Sequence, residues 1–421
     1  MKIFSSGKDS SSPGAARVME RCDQLATISS MSGGICRTYL TDEHKRCNEV
    51  VSNWIDEAGM TSWVDEAGNC WGRYQANNDS AEIVVLGSHL DTVPNAGKYD
   101  GILGVLSAIE VIDQFHRDNV RFPFNIEIVG FADEEGTRFG ATLLGSRAVA
   151  GTWNRHWFDL QDANGISLAS AMESFGLHPE KVYDADRSAE KLLAYLELHI
   201  EQGPVLVKQD VPVGIVTSIA GARRFVLTFN GMAGHAGTVP MDHRRDAGVA
   251  AAIAIQQIEK VARRSSVLAT VGKIKFSPSS INVIPGSCEI SLDIRSGFDA
   301  NRDRAVTKIL EKIQEACDER DIHFTPKEIH SAPAVVCASW LQRLTEYSIM
   351  EQDVTAVSLI SGAGHDAMAF DSVTDIGMLF VRCGAGISHH PDESVTLEDV
   401  DAGLHVFHQM LVNLEAYRIC N

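Results

Sequence analysis

The chain has 421 residues, too many for one small core; at roughly 150 residues per domain it holds two or three domains, or one large α/β domain with an insertion. Its 44% hydrophobic content is that of an ordinary globular protein and excludes wholesale disorder. The 37 basic and 56 acidic residues leave a formal charge of −19, which repels a phosphate backbone, and the densest basic clusters are only pairs such as Arg223-Arg224 and Arg244-Arg245, so nucleic acid is not an expected partner.

From the N-terminus, a Ser- and Gly-rich start reads as a frayed arm without the apolar stretch of a signal peptide. No later run is long enough to span a bilayer, so no membrane partner is expected and the cytoplasm is the expected location. Helical periodicity covers Ala15 to Ile28, and Thr41 can cap a second helix running to about Ala58. Glu82 to Gly87 reads as a buried strand, Gly101 to Phe115 as a helix and Phe124 to Ala132 as another strand. That alternation predicts a largely parallel sheet with covering helices, in which functional loops gather at the carboxyl ends of strands. Leu196 to Pro204 alternates like a half-buried strand, with Glu197, His199 and Glu201 on one face.

Near Ser218 the character changes. Strands are expected over Arg223–Asn230, Leu268–Phe276 and Ser287–Arg295 and near His323, and helices over Asp246–Ala262 and Asp299–Asp318. This compact α+β unit has the size of an inserted domain. After Ser331 the first pattern resumes, with helices over Trp340–Met350 and Glu398–Tyr417 and strands over Ala356–Ile360 and Met378–Val381. The expected division is 1–218, 219–331 and 332–421. Nine scattered cysteines, an odd number with no C-x-x-C pair, argue against a disulfide framework and a zinc ribbon.

Chemistry concentrates where strands end. In Gly87-Ser88-His89-Leu90-Asp91, Asp91 can accept the second imidazole N–H of His89, the usual support of a metal-bound histidine. Asp100 precedes Gly101 at the start of a helix, where a carboxylate can bridge two cations or simply cap the helix. Asp133-Glu134-Glu135 follows an apolar strand, and stacked acids there are costly unless cations or protons compensate. One such carboxylate can hold an ion while its neighbour shuttles a proton; a solvated acidic turn is the plainer alternative. His199 and the His389-His390 doublet complete a set of His and carboxylate groups without Cys, which suits Zn²⁺, Mn²⁺, Co²⁺ or Ni²⁺. His365-Asp366 reads equally well as a pair supporting the site or as a helix N-terminus.

In chain order, GSHLDTV, KYDG, DEEGTRFG, LHIEQGP, GMAGHAGTVPMDHRRDA and GISHHPDE resemble the M20 metallopeptidase superfamily. The EGTRF, HIEQGP and GAGHDA segments resemble its hydantoinase/carbamoylase branch, which includes N-carbamoyl-L-amino-acid hydrolases, β-ureidopropionases and allantoate amidohydrolases. The resemblance implies a zinc-exopeptidase-like α/β catalytic domain interrupted by an α+β lid that also dimerises. It implies two divalent metal ions: His89 and His199 on one, Glu135 and His389 on the other, Asp100 between them. His389 is favoured over His390 because the ligand directly follows Ser in the family pattern. The resemblance makes Glu134 the general base, with Asp91 also among the catalytic residues. It suggests that His235 polarises the substrate carbonyl across a homodimer interface, that Arg223, Asn282 and Arg295 hold the substrate, and that Gln202 and the backbone at Gly364 are further contacts. The implied substrate is a small ureido compound, an N-carbamoyl-L-amino acid first and allantoate second, with a dipeptide as a more distant alternative.

Overall fold

The computed structural model describes residues 13–79 and 82–420, with side chains described through Arg418; the N-terminal arm lies outside the described residues. The chain divides into two compact units. One holds the described residues up to Thr217, then Cys337–Leu359 and the chain from Gly364 onward; the other holds Ser218–Val336 and Ile360–Ala363. The second boundary falls at Val336 rather than Ser331. The strand beginning at His323 runs on to Ala332, and Val335–Val336 still pairs with Ile219 and Ser218.

In the first unit the sheet order is Thr61–Val64, Cys70–Tyr74, Asn125–Phe131, Ile83–His89, Leu192–Ile200, Ile376–Val381, Val213–Ile219. The four central strands are parallel and the flanking pairs antiparallel, so the expectation of a largely parallel sheet describes its centre. Ile83–His89 and Asn125–Phe131 are buried at every position, as strands covered on both faces must be. The covering helix Ile102–Arg117 buries twelve of its sixteen residues, and Pro13–Ala26 and Leu397–Cys420 pack around it. Thr41 caps Asp42–Glu57, its hydroxyl accepting the His44 N–H.

Two local readings are corrected. The strand Leu192–Ile200 is not half-buried: its last seven residues are all buried, and Glu201 has left it. Glu201 accepts the N–H groups of Val205 and Leu206 at 2.6 and 2.8 Å, serving the short helix Val205–Gln209 instead of sharing a face with His199. Leu268–Phe276 is two strands, Leu268–Thr270 and Ile274–Ser277, because Gly272 and Lys273 donate their N–H groups to Ser291 Oγ and break the ladder.

The second unit is an antiparallel sheet ordered Ile274–Ser277, Ser287–Ser296, Gly221–Asn230, His323–Ala332. Helices Ala247–Ser265 and Asp299–Asp318 pack on it around Leu227, Phe229, Ile290, Ile294, Ile309 and Ile313. Its edge strand Ile274–Ser277 is exposed along its whole length. Eight described cysteines are free and all but Cys36 are buried, as small hydrophobes are. No helix among the described residues is long and apolar enough to cross a membrane.

Candidate metal centre

Parallel pairing puts the carboxyl ends of neighbouring strands at one rim. His89 ends its strand opposite Phe131, two residues before Asp133-Glu134-Glu135, and His199 lies opposite Phe380, close before the segment carrying His389. Asp100 reaches the same place through Gly101, whose φ of +71° opens the helix Ile102–Arg117. A Cβ at Gly101 would collide with the His89 ring, so this turn and the approach of His89 both require glycine.

The donor atoms form two sets sharing one carboxylate. Asp100 Oδ1 lies 3.2 Å from His199 Nε2 and 4.0 Å from His89 Nε2. Asp100 Oδ2 lies 3.1 Å from His389 Nε2, which is 3.2 Å from Glu135 Oε1. Ligands on one tetrahedral ion with bonds of about 2.1 Å are about 3.4 Å apart, so the spacing and the His/carboxylate chemistry fit two divalent cations with Asp100 between them. His390 is in none of the donor groups among the described residues, and its Nδ1 accepts the Asp392 N–H at 3.2 Å.

The supports are equally local. His89 Nδ1 lies 3.1 Å from the Asp91 carbonyl and 3.4 Å from its carboxylate, and His199 Nδ1 lies 2.8 Å from the Ile200 carbonyl. These contacts suit a proton on Nδ1 and leave Nε2 to face Asp100. The Asp91 carboxylate also accepts the N–H groups of Glu134 and Glu135, at 2.9 and 3.2 Å, which fixes the acidic turn relative to His89. Gln202 Nε2 donates to both Asp100 oxygens, at 3.0 and 2.9 Å. Gln202 and His389 both have left-handed backbone, φ +55° and +56°, strain of the kind found at functional sites.

Burial holds the His199 imidazolium down to about 4, leaving the ring neutral at pH 7. His389 is drawn up to about 10 by hydrogen bonds to Asp100 and Glu135. Burial opposes a charge on His89, yet Asp91 carries it well above the usual histidine range. Burial likewise opposes the Asp100 carboxylate, but His389, His199 and His89 hold it below the ordinary range. Glu134 is pushed well upward, first by burial and then by Glu135 and Asp366 against the opposing field of His89. Positive charge on His89 and His389 is therefore favoured among these acids, as it would be on cations.

Of the remaining candidates, His365 and Gly364 lie next to members of this set. The buried His365 ring meets His199 edge-on at 4.5 Å, and fully buried Asp366 opens the short helical turn Asp366–Phe370. Gly364 lies beside Glu134, where an added Cβ would be 3.5 Å from its Oε1. Arg138, in the EGTRF segment, bonds the carbonyls of Tyr39 and Leu40 and pairs with Asp162. Arg223, His235, Asn282 and Arg295 belong to the second unit. There Arg223 pairs with Glu328 and Asp303, and Arg295 with Asp293 and the Gly362 carbonyl. His235 and Asn282 are exposed, and His235 pairs with Val283 in a two-residue ladder. Glu393 was given no role by the sequence, although its carboxylate is buried and bonds to the backbone of Tyr99 and Asp100; only its place in the His389 segment hinted at one.

Residues 85–413 match the model of peptidase family M20/M25/M40. The chain is 39% identical to an N-carbamoyl-L-amino acid amidohydrolase of Geobacillus stearothermophilus, over 94% of this chain and 98% of the relative. It is 36% identical to allantoate deiminase 1 of Glycine max, over 90% of this chain and 85% of that protein. An amidase of the hydantoinase/carbamoylase family from Burkholderia multivorans superposes with a TM-score of 0.89 at 31% identity, covering 95% and 97% of the two chains.

Proposed function

The chain belongs to peptidase family M20/M25/M40, and we propose that within it the protein is a two-metal amidohydrolase cleaving the ureido C–N bond of N-carbamoyl-L-amino acids. The observation that carries this reading is the pair of donor sets sharing Asp100, with the Glu134 carboxylate beside them. The relatives named for carbamoyl amino acids and for allantoate supply the substrate class, with allantoate kept as the second reading.

In this reading His89 and His199 hold one ion, Glu135 and His389 the other, and Asp100 both. Zn²⁺ or Mn²⁺ suits these donors, with Co²⁺ or Ni²⁺ as alternatives. When bound, such a pair supplies Lewis acidity and lowers the pKa of a water at neutral pH. Glu134 accepts the proton as that water attacks the carbamoyl carbon, and returns it to the amino-acid nitrogen as the C–N bond breaks. The carbamic acid released divides into ammonia and carbon dioxide, so one water is consumed per substrate. Asp91 holds the turn that aims Glu134. Gln202, Arg223, Asn282, Arg295 and the Gly364 backbone are assigned to substrate, Arg295 offering a planar fork for a carboxylate. Prolonged chelation should abolish ammonia release, and Mn²⁺ or Zn²⁺ should restore it; activity unchanged after verified metal removal would refute this function.

The working form is taken to be a cytoplasmic homodimer. The exposed edge strand Ile274–Ser277, with Ile274 and Phe276 on it, offers unpaired backbone and apolar surface to a second copy. His235 is assigned to the partner's oxyanion, so a Glu134→Gln subunit and a His235→Ala subunit, each inactive alone, should complement. Heterodimers should regain up to roughly half of wild-type activity, since one composite site of two is intact. Proven subunit exchange without recovered activity would place His235 in its own subunit's site or outside catalysis.

A further inference from the structure

We propose that Glu393 is a positioning residue that clamps together the two segments presenting Asp100 and His389, and so sets the affinity of the ion those two donors share. The inference rests on the two-metal reading above. Glu393 is buried, 4% exposed, and is itself outside the donor sets. Its Oε1 accepts the backbone N–H groups of Tyr99 and Asp100 at 2.9 and 3.1 Å. Its Oε2 lies 2.8 Å from Ser388 Oγ, on the residue directly before His389. Ser388 Oγ is in turn 3.2 Å from Asp100 Oδ2 and 3.2 Å from Gln202 Nε2. One carboxylate therefore joins segments almost three hundred residues apart, a task suited to an acceptor with two oxygens.

The clamp is built in rather than incidental. The Glu393 N–H bonds to the His390 carbonyl at 3.0 Å, closing the segment on itself so that the side chain and His389 move as one piece. Opposite, Gly97 leaves the space Glu393 occupies; a Cβ there would collide with its carboxylate. Gln202 still donates to both Asp100 oxygens, and His89 and His199 keep their own carbonyl partners, so what loosens is the His389 segment and loss of the clamp should fall mainly on the Glu135/His389 ion.

The test is competitive chelator titration of the full-length protein with Mn²⁺ alone, alongside melting of the metal-free form. Glu393→Ala is expected to weaken one of two ions by roughly 10–100-fold while the other stays within about threefold. Glu393→Gln keeps an oxygen for the Tyr99 and Asp100 N–H groups, and its amide can donate to Ser388 Oγ, so both affinities should return to within about threefold of wild type. Two wild-type affinities in the alanine variant would overturn the proposal. So would a glutamine variant as weak as alanine, or equal weakening of both ions with a lowered metal-free melting temperature. Should Glu393→Ala not fold, Ser388→Ala decides: selective weakening of one ion supports the clamp, and unchanged binding refutes it. A wild-type protein that takes up no Mn²⁺ or Zn²⁺ would instead remove the two-metal reading itself.

Discussion

Glu134→Gln is expected to keep both ions and to lower kcat by roughly 10²–10⁴. The substitution preserves size and leaves the backbone N–H in its bond to Asp91 Oδ1, so the turn and the neighbouring Glu135 stay in place. What is lost is a basic oxygen, and with it both the acceptance of the water's proton and its delivery to the leaving nitrogen. Metal analysis must accompany the kinetics, because a fall in kcat with a fall in metal content would be a structural effect. Turnover near the wild-type rate would hand the proton transfer to another group, with Glu135 the nearest carboxylate in the same cluster.

Asp100→Ala should have the other large effect: both ions lost together, and activity down by at least roughly a thousandfold, since no cation remains to activate water. Simultaneous loss follows from the geometry, Oδ1 facing His199 and His89 and Oδ2 facing His389. Loss of one ion only would mean that Asp100 serves a single site, and full occupancy with full activity would remove it from the centre altogether.

The parts of the site that sequence reasoning reached share one physical reason. A parallel strand buried on both faces is a continuous apolar run, so Ile83–His89 and Asn125–Phe131 stand out, and polar residues at their carboxyl ends must lie together at one rim. Roles such as base, ligand or substrate contact came from family resemblance, since no spacing assigns them. Short flanking strands such as Thr61–Val64 and Cys70–Tyr74 escaped because four or five residues carry too little period. Glu201 was misplaced because alternation continued one step past the strand, whereas its side chain reaches on to the N–H groups that open the next helix. The roles of Glu393 and Ser388 were not legible beyond their place in the His389 segment: Glu393 bonds to the backbone of Tyr99 and Asp100 and Ser388 to the Asp100 carboxylate, and contacts so distant along the chain leave no periodic trace. Arg223 and Arg295 show the converse, since residues assigned to substrate are also engaged in ion pairs with Glu328 and Asp293 of their own sheet.

Hydrolysis of ureido compounds at the shared His and carboxylate set is the activity to be measured. The most direct measurement is ammonia release from N-carbamoyl-L-amino acids, N-carbamoyl-β-alanine and allantoate, with dipeptide cleavage followed in parallel, each with added Mn²⁺ or Zn²⁺. Metal-dependent ammonia release is expected, with the highest kcat/KM on an N-carbamoyl-L-amino acid and no comparable dipeptide cleavage. Amine release from dipeptides without ammonia from any ureido compound would contradict it.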